Sequence, residues 1–149
     1  MNKKILFAFV VLAALFVSAF KPVEVLPKKG GSVFYIKRMD AIASLAQKVH
    51  VVLNGVEVTV LVKPNTYKAV HLKPGVYNIE LKIFNPEGIE RKTISWTDTL
   101  KSGETYFARL SYNFGWKSRK KALKPSQFKA GPKRFYAGEV DAAGLVNPE

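Results

Sequence analysis

His50 and His71 are the two imidazoles of this 149-residue chain, and there is no cysteine. Zinc is normally held by three or four protein ligands. Two histidines without a carboxylate cluster at ligand spacing fall short of that, even if the fold brings them together. No metal and no cofactor are therefore expected. The lack of cysteine removes thiolate zinc sites, a cysteine nucleophile, disulfides and a lipid-modified cysteine. Asp40, Glu80 and Asp98 are the carboxylates an acid/base pair would draw on. Each has a plainer place: a helix cap, a solvent-facing strand position and a polar edge. Ser95-Trp96-Thr97 shows no nucleophile elbow, and the glycines fall at turns rather than in a strand-to-helix phosphate loop. The chain is not expected to be an enzyme.

What the residue types do offer is binding. Residues 115–135 read GWKSRKKALKPSQFKAGPKRF, eight cations with no acid and with Trp116, Phe128 and Phe135 interspersed. Basic charge with interleaved aromatics can neutralise phosphate and stack bases. It can equally sit on anionic lipid, where each cation contributes about 1 kcal/mol near the surface, or meet an acidic glycan. A solvated extension is the plain alternative. The candidate contact residues are Lys117, Arg119, Lys120, Lys121, Lys124, Lys133 and Arg134. The formal net charge of +13 points the same way, towards anionic partners. A second candidate is a ligand pocket lined by Tyr67, Tyr77 and Tyr106. Trp96 and Trp116 are expected to pack in the core or at a sheet edge, given how much area an indole buries.

The first residues position everything else in a compartment. Lys3 and Lys4 precede thirteen apolar residues, 5–17, and Val17-Ser18-Ala19 follows. A basic start, an apolar run and small residues at a cleavage point make a secretory leader. Cleavage is expected after Ala19. The competing reading is a retained anchor, although a helix over 5–20 would span roughly 24 Å against a hydrocarbon core of about 30 Å. Export argues against nucleic acid as the partner. It leaves an envelope protein, or an anionic envelope surface of lipid or glycan. Residues 20–31, with two prolines and two glycines, read as a linker.

The body from 32 to 114 is strand-like and centred on residues 66–84. There Lys73-Pro74-Gly75 separates two runs, the second of which alternates Tyr77, Ile79, Leu81 and Ile83 against Asn78, Glu80 and Lys82. A half-buried strand needs that period of two. Pro74-Gly75 has the chemistry of a type II turn. Such a turn splays a tight hairpin, so its two strands either pair through a longer connection or belong to different sheets. Asn54-Gly55 predicts a two-residue type I′ hairpin. The simple register pairs Leu53 with Val56, Val51 with Val58 and Val49 with Val60 on one face, and Val52 with Glu57 and His50 with Thr59 on the other. A first strand is expected over 32–38, a polar edge strand over 89–100 and a last one over 104–114. Asp40 opens either a short helix or a loop. Residues 136–149 turn acidic and rich in small side chains, and are expected to fray or to dock on a partner.

Three pieces in this order, VHVVLNGVEV, HLKPGVYNIEL and LKSGETYFARL, resemble the 2846 family of bacterial domains of unknown function. The Pro-Gly element is similar to that of PEGA-type surface domains. The resemblance spans about 32–114. It implies an exported small β-sandwich and brings neither an activity nor site residues. The chain departs from the family in lacking a lipobox cysteine and in carrying the basic extension.

The expectation is thus an all-β protein: a small antiparallel β-sandwich of about seven strands over 32–114. A signal helix over 1–19 and a linker over 20–31 precede it, and a largely irregular extension over 115–149 follows. Its expected role is an exported, non-enzymatic binding or structural module at the bacterial cell envelope. The alternative is a β-sandwich that binds a small molecule or glycan through the tyrosine pocket.

Overall fold

The structure, a computed structural model, describes residues 25–39, 46–112, 116–119 and 136–149, with backbone alone for 112 and 116–119. The leader, residue 40 with the segment after it, and the basic residues Lys120, Lys121, Lys124, Lys133 and Arg134 lie outside the described residues.

All described regular structure is β. The strands are β1 (Ser32–Arg38), β2 (Lys48–Leu53), β3 (Val56–Leu61), β4 (Tyr67–Leu72), β5 (Gly75–Phe84), β6 (Glu90–Leu100), β7 (Thr105–Tyr112), β8 (Trp116–Arg119) and β9 (Tyr136–Asp141). They form a five-stranded sheet in the order β8-β7-β1-β4-β9 and a four-stranded sheet in the order β3-β2-β5-β6. The seven expected strands are present, with β8 and β9 in addition.

One core joins the two sheets. Phe34, Ile36, Val70, Leu72, Ala108 and Leu110 from the first sheet meet Val49, Val51, Leu53, Tyr77, Ile79, Leu81, Ile83 and Trp96 from the second, all buried. The alternation along β5 appears as read: its apolar set is buried and Asn78, Glu80 and Lys82 are only partly covered. Strand β6 is an edge strand whose residues 90–93 are exposed. Charges and threonines there discourage pairing with another chain. The outer side of the five-stranded sheet carries a second cluster, in which Val25, Val33, Tyr35, Tyr67 and Ala69 are buried against Phe107 and Tyr136.

Four features differ from the sequence reading. First, the sandwich is not wholly antiparallel: β1 pairs with β7, and β4 with β9, in parallel. Parallel neighbours need long connections, and here they are distant in sequence. Second, the β2–β3 hairpin turns at Asn54 (φ 47°) and Gly55 (φ 80°) as the type I′ chemistry requires, but its register slips. Leu53 pairs with Val56 and Val52 with Glu57; a bulge then pairs Val51 with Thr59, His50 with Val60 and Val49 with Leu61. One extra residue exchanges inside for outside, so Leu61 enters the core where Val60 was expected. Third, the Pro-Gly element joins β4 of one sheet to β5 of the other, one of the two arrangements expected, but not through a type II turn. Gly75 has φ 147°, well beyond the roughly +80° of a type II turn. Fourth, residues 136–149 are not an irregular extension. Strand β9 pairs with β4, and Ala142 and Val146 beyond it are buried in the main core.

Residues 142–149 also tie to the second sheet. The Glu149 amide donates to Val76 O at 3.0 Å, and Asn54 Nδ2 donates to Asn147 O at 2.8 Å. Pro148 packs so closely on Gly75 that a Cβ there would lie 2.1 Å from the proline Cβ. Gly75 is thus needed for its backbone angle and for this contact.

Candidate functional site

The three tyrosines of the expected pocket do not converge. Tyr67 lies fully buried in the outer cluster, its ring 6.3 Å from Tyr35 and 5.2 Å from Tyr136. Tyr77 is fully buried in the core between the sheets and donates its hydroxyl to Lys73 O at 3.0 Å. Burial raises its pKa. Tyr106 packs against the same core, accepts from the Lys101 amide and donates to Glu104, both at 2.8 Å. Its pKa is also raised, chiefly by burial. The five-stranded sheet separates Tyr67 from the other two.

The histidines do not meet either. His50 is in the four-stranded sheet, with Nδ1 2.7 Å from Glu57 and its ring 4.5 Å from that of Phe84. His71, in the other sheet, is buried with Nε2 2.8 Å from Glu139 of β9, while its Nδ1 has no hydrogen-bond partner. The Glu139 carboxyl is held below its usual range, first by the His71 hydrogen bond. Beside it, burial and the Glu139 carboxylate push the Tyr136 phenol far up. Asp141 is lowered by its ion pair with Lys28 at 2.5 Å. These contacts fasten β9 to its sheet. Glu80 faces Lys82 at 3.4 Å, and Asp98 accepts from the adjacent Thr99 amide. Among the described residues no group of three or more His, Asp or Glu side chains could hold a metal. Trp96 is buried in the core, as expected.

Of the candidate contact residues, Lys117 and Arg119 belong to β8, paired with β7 at Ser111 and Arg109. Strands β8 and β9 occupy opposite edges of one sheet, so the basic run is tethered at both ends. On the outer side of that sheet two further cations stand in register, Lys37 of β1 opposite Arg109 of β7. Like charges directly opposite repel. Burial, then the Arg109 charge, hold the Lys37 pKa below its ordinary value.

Sequence reasoning passed over Arg38 and Lys68. The phase of β1 carries Arg38 with Phe34 and Ile36 to the inner side, where it is fully buried. Its Nη1 donates to Gln47 O (2.6 Å), Leu61 O (3.2 Å) and Val62 O (2.8 Å), bridging the two sheets. A buried cation is tolerable only when hydrogen-bonded in this way. Lys68 shares the inner side of β4 with Val70 and Leu72, and its ammonium donates to Thr59 Oγ1 of β3 at 2.7 Å. The signal was present in the period of two, which sets a cation at an apolar phase of each strand. Beside these residues a groove of about 360 Å³ opens, lined by residues 60–63, Thr66, Lys68, Tyr136 and Ala137.

The chain matches no family model, no curated protein and no solved structure.

Proposed function

We propose that this is an exported, non-enzymatic binding module of the bacterial cell envelope, whose basic residues 117–134 contact an anionic surface. The leader-like first 19 residues support export. The resemblance to the 2846 family, taken as part of the same reading, fits a small exported sandwich. The observation that carries the anionic partner is the acid-free run of eight cations, which leads from β8 to β9 at the two edges of one sheet. Cations concentrated on one stretch of a scaffold favour an anionic surface.

The test is co-sedimentation of the chain from Phe20 onward with phosphatidylglycerol-containing and purely zwitterionic vesicles. Binding is expected only to the former and should weaken as salt is raised. Replacing Lys120, Lys121, Lys124, Lys133 and Arg134 together by Gln should remove most of it. Deleting 116–135 would be a poor substitute, because it removes β8 and the link to β9. Equal binding to both vesicle types, or an unaffected five-residue variant, would refute the proposal.

A further inference from the structure

We propose that, while the apolar run 5–17 holds the chain in a membrane, the outer side of the five-stranded sheet docks on the surface of that bilayer, with anionic lipid as its partner. This rests on the export leader proposed above and is separate from the cations of 120–134. Val25 is the fixed point. It is buried in the outer cluster, and its amide donates to the Tyr35 hydroxyl at 2.5 Å. Tyr35 lies midway along β1, and β1 is the third of the five strands. The chain therefore joins the body at the centre of one face.

Five peptide steps separate Val25 from Phe20, where the apolar stretch ends. Five steps reach at most about 18 Å. The nearest sheet edge is two strand spacings from Tyr35, about 10 Å, and either end of β1 is about as far. The second sheet lies about 10 Å beyond, and a side-chain layer of about 5 Å covers each outer side. A path from Val25 to the outer side of the four-stranded sheet is thus roughly 30 Å, more than the tether can span. The tether leaves within reach the outer side of the five-stranded sheet, or its rim. Two features favour the face over the rim. Leu26, beside the pinned Val25, is 72% exposed, and such a side chain gains from burial at a membrane interface. Cations also outnumber acids on this side. Lys28, Lys37 and Arg109 stand against Glu139 and Asp141, which are bonded to His71 and Lys28, and the register sets Arg119 opposite Arg109. The outer side of the other sheet is balanced, with Lys48 and Lys82 against Glu57 and Glu80. A cation-rich side held near a bilayer is drawn to anionic head groups.

The chain has no cysteine, so single labels are clean. Thr105→Cys and Ser111→Cys put a spin label on the outer side of the five-stranded sheet, in the phase of Phe107. Ser95→Cys and Thr97→Cys put one at exposed outer positions of β6 in the four-stranded sheet. The full chain, leader included, is reconstituted into phosphatidylglycerol-containing vesicles that carry a nickel-chelating lipid. Nickel at the head groups should relax the labels at 105 and 111 at least about threefold more than those at 95 and 97, because the two outer sides are about 20 Å apart. Vesicles of phosphatidylcholine alone should reduce that contrast by about twofold or more. Melting curves will show which labelled chains are folded, and two sites on each sheet cover the loss of one. Equal relaxation at all four sites, or stronger relaxation at 95 and 97, would overturn the inference. An undiminished contrast on phosphatidylcholine would remove anionic lipid from it. Failure of the chain from Phe20 onward to bind vesicles would refute the contact of the basic run alone, since here the leader supplies insertion.

Discussion

Glu139 is exposed, yet its carboxyl is held below the ordinary value of 4.5 by the His71 imidazole, with Tyr136 and Lys28 contributing. A carboxyl whose folded pKa lies below its unfolded one stabilises the fold above the unfolded value. That contribution is lost as the pH falls through the folded value. Stability should therefore decline as the pH is lowered below about 4.5, and Glu139→Gln should be flatter over the same interval. Urea midpoints from pH 7 to 3 will decide; parallel profiles for the two proteins would show that Glu139 is not coupled to folding. At this scale the sequence was only partly readable. The two histidines were visible as a scarce resource, but their carboxylate partners, Glu57 and Glu139, were not. Glu57 sits across a hairpin. Glu139 arrives from a strand 68 residues further on, and no local pattern points to such a neighbour. Arg38 and Lys68 were readable in principle, because each interrupts an apolar phase. A cation at such a phase reads as a strand end until the opposite sheet is known.

At the scale of elements, turn chemistry and alternation located the seven strands of 32–114 and identified β6 as an edge. Most of what they missed comes from pairing partners that lie far apart along the chain; the hairpin register is a local exception. The β3 register could not be settled on paper because Val60 and Leu61 are both apolar, so either can serve the core. Strand β9 escaped because YAGEVD is half-exposed along its length and has little apolar character. Its worth lies in β4, the strand it covers, and in Ala142 and Val146 beyond it. The sequence marks Gly75 only as a turn residue, whereas its second role is the Pro148 contact. Gly75→Ala should destabilise the protein by about 2 kcal/mol through backbone strain and collision. Pro148→Gly, which removes the colliding Cβ, should recover part of that loss when combined with it, since residues in contact are not additive. A double-mutant cycle measured by denaturant unfolding checks the coupling; strictly additive effects would mean that the two residues do not meet.

For the whole molecule, the body is closed by a segment the sequence seemed to leave outside. Without residues 142–149 two core positions, Ala142 and Val146, are empty. Burying a valine is worth roughly 1.5–3 kcal/mol, a large part of the stability of a typical domain. A chain shortened to Asp141 should melt well below the full-length protein in circular dichroism, and an unchanged midpoint would contradict the assigned packing. The central position of β1 has a consequence in time. Its hydrogen-bonded neighbours are β4, thirty to forty positions away, and β7, more than seventy. Contacts that distant are formed slowly, since long loops must close before any reward is collected. A chain that emerges from its first residue onward holds β1 without a mate until β4 and then β7 have followed. Slow assembly of the five-stranded sheet thus follows from its strand order.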